Sequence, residues 1–221
     1  MQYGACDTLS WLQEIIQIAQ PADGRVSPTF RPHHVVVALI MIGREQPLGR
    51  YELCEQMSVG EGSARTLLKR LTEAGYITAE GKQGQKLTSK GRNLFDRITN
   101  DVPIGLALSL GSLVIHNSAY ANLVKDKATA VKDGIRQRDE AIIQGGGYGQ
   151  AGATTLVQKD GMLLMPPDDF NILFEYEAEA LLILESLRVK DNDVVVIGSA
   201  NDEKLAREVS MAAVLTLFDE E

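Results

Sequence analysis

The stretch 58–99 leaves the chain few ways to fold. Ala64, Leu67, Leu68 and Leu71 fall three and four residues apart, which places them on one face of a helix. Ser63, Arg65, Thr66, Lys69 and Arg70 fall on the other face. Ser58, with Glu61 three residues on, has the pattern of a capping box, the hydroxyl accepting from the Glu61 N–H and the carboxylate reaching back. Ala74-Gly75 supplies the glycine that ends such a helix. Two short β-prone runs, 76–79 and 85–88, then flank Gly81-Lys82-Gln83-Gly84, which predicts a hairpin with a flexible basic tip. Residues 89–98 predict a closing helix bearing Leu94 and Ile98.

Upstream, residues 34–42 are apolar on every side, as expected of a buried central helix. Residues 49–56 predict a shorter helix with Tyr51, Leu53 and Cys54 turned inward. A first helix is expected over 8–20, capped by Asp7 or Thr8, ended by Pro21, and buried along Leu12, Ile15, Ile16 and Ala19. Trp11 and Ile18 form a second ridge, either covered by the rest of the domain or left free as a dimer contact. Gly24 and Pro28 mark the connecting loop that follows. His33 and His34 are adjacent and so point in different directions on a helix, which favours a structural role over a metal site. Cys6 and Cys54 lack any metal or CxxC spacing and read as free thiols in a reducing cytoplasm.

Helix, helix, capped amphipathic helix and basic hairpin is the order of a winged helix. The segment GEGSARTLLKRLTEAGYITAEGKQGQKLTSKGR, residues 60–92, resembles the winged-helix domains of prokaryotic transcription regulators. That resemblance implies duplex DNA as partner. The side chains agree independently. A helix start with small, polar and basic groups can enter a major groove, where Arg65 can donate twice to guanine and Ser63, Thr66, Lys69 and Arg70 flank it. Lys82, Gln83 and Lys86 on the hairpin would meet phosphate or the minor groove. The competing reading is a solvated basic face on an adaptor that binds protein or RNA.

Charge divides the chain near residue 100. Residues 1–100 carry 12 basic and 10 acidic side chains, and residues 101–221 carry 10 and 20, which together give the net −8. Within 61–98 the balance is 8 to 4. Salt screens beyond roughly 8 Å, so an acidic second half does not forbid phosphate contact by the first. The expected domains are therefore 1–100 and 101–221.

The second half reads as strands over 104–116 and 119–124, a helix over 126–144, and strands 154–158 and 162–165 about Asp160-Gly161. A helix over 173–187, a strand over 193–197 and a helix over 202–218 follow. The class expected is α+β, a two-layer sandwich with helices on one face of a mainly antiparallel sheet, with a ferredoxin-like order also open. The stretches AYANLVKDKATAVKDGIRQRDEAIIQGG and AGATTLVQKDGMLLMP resemble an uncharacterised domain that follows a winged helix in a family of archaeal proteins.

On the helix beginning near Asp126, the stripe Ala128, Val131, Ile135 and Ile142 turns Arg138 and Asp139 towards the sheet. The pair is either a structural network or, with Thr154 and Thr155 beside the 145–152 glycine loop, a site for an anionic effector. That loop follows a helix rather than preceding one, which disfavours phosphate, and Asp202 and Glu203 do the same for residues 196–201. No Ser/His/Asp spacing, HExxH or Walker loop appears, so neither catalysis nor a cofactor or metal is expected, and the enzyme alternative would be a domain acting on a small anionic metabolite. No apolar run is long enough to span a bilayer, since 35–42 stops at Gly43-Arg44, and no secretion signal opens the chain. The expectation is a cytoplasmic, homodimeric DNA-binding regulator whose second domain senses an effector or assembles.

Overall fold

The computed structural model describes residues 9–20, 28–147 and 149–219. Asp7, Thr8, Cys6, Pro21 and Gly24 lie outside them. The first helix, α1 (Trp11–Ala19), is capped by Ser10, whose hydroxyl accepts from Gln13 N while the Gln13 side chain accepts from Ser10 N. Next come α2 (Pro32–Glu45), α3 (Arg50–Gln56) and α4 (Glu61–Glu73). A hairpin of β1 (Ile77–Ala79) and β2 (Gln85–Leu87) follows, then α5 (Ser89–Asp101), capped by the Thr88 hydroxyl. This is the arrangement of a winged helix. Leu48 adds the third short strand by exchanging both backbone bonds with Gln85. The wing also packs directly on α5, because a Cβ at Gly91 would collide with the Tyr76 carbonyl. Only glycine fits there.

Two expectations for this half are corrected. Tyr51 is exposed, leaving Leu53 as the buried residue of α3. Ser58 caps nothing: α4 starts from Gly60, and the Ser58 N–H donates instead to Glu208 Oε1 at 2.7 Å. Of the two readings open for Trp11 and Ile18, the structure bears out the first: both are buried within the chain. The Trp11 indole donates to Asp101 at 2.7 Å and meets the Phe218 ring edge-on, 4.7 Å between centroids.

The second half continues with β3 (Ile104–Ala107), β4 (Ser118–Val124), α6 (Ile135–Gln144), β5 (Ala151–Lys159) and β6 (Met162–Met165). The short β7 (Phe170–Asn171), α7 (Glu177–Leu187), β8 (Val194–Ala200) and α8 (Glu203–Leu215) complete it. The class is α+β, and the six strands lie in the order β3-β4-β8-β5-β6-β7 with antiparallel neighbours throughout. A ferredoxin-like order would leave the last strand at an edge, whereas β8 sits between β4 and β5. The strand expected over 104–116 is broken after Ala107 by a 3-10 turn, Gly111–Leu113.

β8 is apolar at nearly every position because both faces of the sheet are covered. Val195 and Ile197 face α7 through Ile183 and Leu187, while Val194, Val196 and Ala200 face α6 and α8. Helix α8 lies so close to β8 that a Cβ on Gly198 would collide with the Ala206 carbonyl and Ser210 N. The Ser210 hydroxyl donates to Val196 O and accepts from Asn122, so the polar groups under this contact are satisfied. One apolar core then runs from α1 and α2 through α8 to the sheet. Among the described residues no helix is long and apolar enough to cross a membrane.

His33 is buried in that core, and desolvation, with the charges of His34 and Arg31, holds its pKa well below 6.5. The unfolded chain therefore binds the proton more readily than the folded one. This contribution to stability is complete above about pH 6.5 and is lost as the pH falls below it. Denaturation curves at pH 5.5 and 7.5 should give a lower midpoint at the acid pH, and His33→Leu should reduce that difference.

Candidate nucleic-acid interface

Helix α4 divides as its spacing requires. Ala64, Leu67, Leu68 and Leu71 are buried, and Arg65, Thr66 and Lys69 are exposed. The wing carries Lys82 and Gln83 exposed at its tip, with Gly81 and Gly84 at positive φ making the turn. Lys86 lies half-exposed on β2. Backbone bonds from Glu80 N to Gly84 O and from Gln83 N to Glu80 O close that tip.

The cations are less free than the sequence alone suggested. Arg65 lies 3.6 Å from Glu61, Lys69 lies 3.7 Å from Glu73, and Lys86 bonds Glu80 at 2.8 Å. Two of these carboxylates were visible as i,i+4 partners in the sequence, Glu61 for Arg65 and Glu73 for Lys69. Such exposed pairs are worth little and exchange readily for phosphate. Thr66 donates to Gly62 O within its own helix, and the Ser63 hydroxyl meets that of Thr29.

Arg70 is the residue whose surroundings differ most from expectation. Its guanidinium donates to the carbonyls of Ile18 and Gln20 and lies over the Phe30 ring, 5.4 Å from the centroid. It thus supplies the donors that the last turn of α1 lacks. Arg70 anchors α1 to α4. Between these helices and Phe30 lies an open groove of about 780 Å³, into which Ser63, Thr66 and Lys69 also face.

The expected effector residues are placed differently from the sequence reading. Helix α6 begins after Gly134, which takes a positive φ, and not near Asp126. The phase of the helix shifts accordingly: Gln137 and Ala141 face inward, Ile135 is exposed, and Arg138 and Asp139 point outward. These two pair with each other at 2.9 Å in solvent, so they form no buried network. Arg138, Thr154 and Thr155 do line one cavity of about 290 Å³, which is closed by residues 133–135 and Pro166-Pro167 rather than by the glycine loop. Asp139 is not part of its wall.

Residues 34–93 match the family described as PH0730-like, N-terminal domain, and residues 115–217 match a domain of unknown function, DUF4443. The hypothetical protein PH0730 from Pyrococcus horikoshii OT3 has a solved structure that is 25% identical to this chain. Its TM-score is 0.66, covering 84% of this chain and 92% of its own. The chain is similar to an uncharacterised archaeal family. None of the curated proteins matches it. The PH0730-like match covers α2 to the start of α5, and the DUF4443 match covers β4 to α8.

The roles of two neighbouring arginines on α4 can be separated by stability alone. Arg70→Ala should cost about 1–3 kcal/mol, since it leaves carbonyls of α1 without charged donors. Arg65→Ala should stay within about 0.5 kcal/mol, as an exposed residue with one weak ion pair. Urea denaturation of the two variants beside the parent protein measures both.

Proposed function

We propose that this chain is a duplex-DNA-binding regulator that reads the major groove with α4 and clamps the backbone with the wing. The reading rests on one observation above the rest: Arg65 and Lys69 stand exposed on the outer face of α4, while Lys82 and Gln83 extend from the wing beside it. In the docking of such domains the N-terminal part of the reading helix meets base edges. Arg65, in its second turn, is the residue with the geometry for a bidentate bond to guanine. Lys82 at the exposed tip of a short hairpin suits phosphate, which asks for charge rather than exact placement. Arg70 is left out of this set because its donors are already used on α1.

A single winged helix presents one reading helix, and two copies on one duplex would raise affinity through effective concentration. The proposal therefore includes a homodimer on DNA, formed through surfaces other than Trp11 and Ile18. The reading of the same face as a protein or RNA adaptor draws on the carboxylates Glu61, Glu73 and Glu80, which partly neutralise it.

Selection of bound sequences from random duplex DNA, followed by titration at several salt concentrations, tests the reading. Arg65→Ala should lose about 1–3 kcal/mol of discrimination at one base position. Lys82→Ala should weaken all duplexes alike and lower the salt slope by about one. No enriched sequence, together with unchanged affinity in both variants, would contradict the assignment and favour the adaptor.

A further inference from the structure

The winged helix and the sheet enclose a second cavity, of about 280 Å³, that none of the expected site residues lines. Helix α2 forms one wall, the β3–β4 edge a second, and α8 the third. Its position matters because each wall belongs to a different part of the chain. A molecule held there touches the winged helix and the sheet domain together.

The chemistry of the cavity is mixed in a particular way. Val37, Met41 and Met211 give it an apolar side. Arg44, Arg207 and Tyr120 give it donors. Arg207 is mostly covered, its side chain 19% exposed, and its Nε is buried with no hydrogen-bond partner. One terminal nitrogen lies 3.4 Å from Glu203, a long separation for a charge-assisted bond, and the other lies 3.8 Å from the Met41 sulfur. Arg44 donates to the Pro103 carbonyl at 3.2 Å and forms no ion pair among the described residues.

Tyr120 lines the same cavity as the two arginines. The Arg207 guanidinium lies over its ring, 5.3 Å from the centroid. Burial raises the Tyr120 pKa above 10, against the opposing charges of Arg207 and Arg44. Its hydroxyl is therefore a protonated donor at neutral pH, and both positive charges act on the place where it sits. The room for that hydroxyl comes from Gly105, where an added Cβ would lie 3.2 Å from Tyr120 Oη and collide with Asn122 Oδ1. Of the acidic groups in the wall, Glu45 is engaged by the Gln56 amide at 3.1 Å and Glu203 stands more than half exposed at the rim.

A buried guanidinium nitrogen without a partner is costly, and Arg207 Nε, beside a second arginine that forms no ion pair among the described residues, calls for an acceptor. The space is at the small end of ligand cavities, so the acceptor's carrier must be compact. We propose that this interdomain cavity binds a small carboxylate with an apolar body, its carboxylate on Arg207, Arg44 and Tyr120 and its body against the two methionines. Because the ligand bridges α2 and the sheet, its affinity depends on how the winged helix sits, which couples it to whatever α4 binds. That coupling rests on the DNA-binding reading; the binding itself does not.

Titration calorimetry on the 221-residue chain without DNA tests the site, with benzoate and hexanoate as probes and benzyl alcohol and inorganic phosphate as controls. The carboxylates should bind saturably and raise the melting midpoint, and the controls should do neither. Arg207→Met and Arg44→Met should each weaken benzoate binding at least tenfold, and Tyr120→Phe several-fold. Arg44 is exposed, so its variant folds and decides the matter even if the Arg207 variant does not. Absence of saturable carboxylate binding, equal binding of phosphate, or unchanged affinity in Arg44→Met would overturn the site. Saturating benzoate should then change the affinity for a selected duplex at least fivefold. An unchanged duplex affinity alongside carboxylate binding would overturn the coupling alone, and a chain that binds carboxylate but no duplex would refute the DNA reading instead.

Discussion

The Glu208 carboxylate, 3% exposed on α8, joins the two halves of the molecule. One oxygen accepts from Ser58 N at 2.7 Å, and the other lies 3.4 Å from His34 Nε2. His34 Nδ1 accepts from Arg31 N, which leaves its proton on Nε2 and directs it at Glu208. The loop before α4 and the first turn of α2 are thereby fixed to the same helix of the sheet domain. A carboxyl group buried to this degree is costly without such partners, so the contact favours this arrangement of the halves. Much of the surrounding interface is apolar, and apolar packing by itself lacks direction.

Helix α8 can play this part because it is itself immobilised. Gly198 lets it approach β8 to backbone contact, and Ser210 with Asn122 satisfies the groups beneath. Its opposite side meets α2, and Arg207, one residue before Glu208, reaches the cavity between them. A shift of the winged helix would therefore disturb the Glu208 contacts and the cavity together. Arg65, Thr66 and Lys69 on α4 and Lys82 and Gln83 on the wing stay exposed.

Much of this was legible in the sequence, and the reasons for the rest are physical. The α4 stripe, the wing, and the order of the later elements follow from local periodicity and turn chemistry, which nearby residues decide. The α+β class and the antiparallel sheet follow from them. Ser58 misled because a capping-box pattern cannot reveal that a carboxylate 150 positions away will take its N–H. Arg138 and Asp139 misled because α6 starts at Ile135, nine residues after the expected start at Asp126, and the inward stripe drawn through Ala128 and Val131 therefore does not belong to it. The sequence left Trp11 open between covered and free because its cover, Phe218, lies about 200 positions further along the chain. Of the anion-binding groups in the interdomain cavity, only Arg44 left a trace, falling seven residues after Val37 and three after Met41 on an otherwise apolar helix face. Arg207 and Tyr120 acquire meaning only once β4 and α8 are side by side.

If α8 binds the winged helix and the sheet into one cooperative body, scanning calorimetry should show it in the ratio of the calorimetric to the van't Hoff enthalpy of unfolding. A single transition in which the two agree is expected. Two resolved transitions, or a calorimetric enthalpy well above the van't Hoff value, would mean that the halves unfold independently and would contradict it.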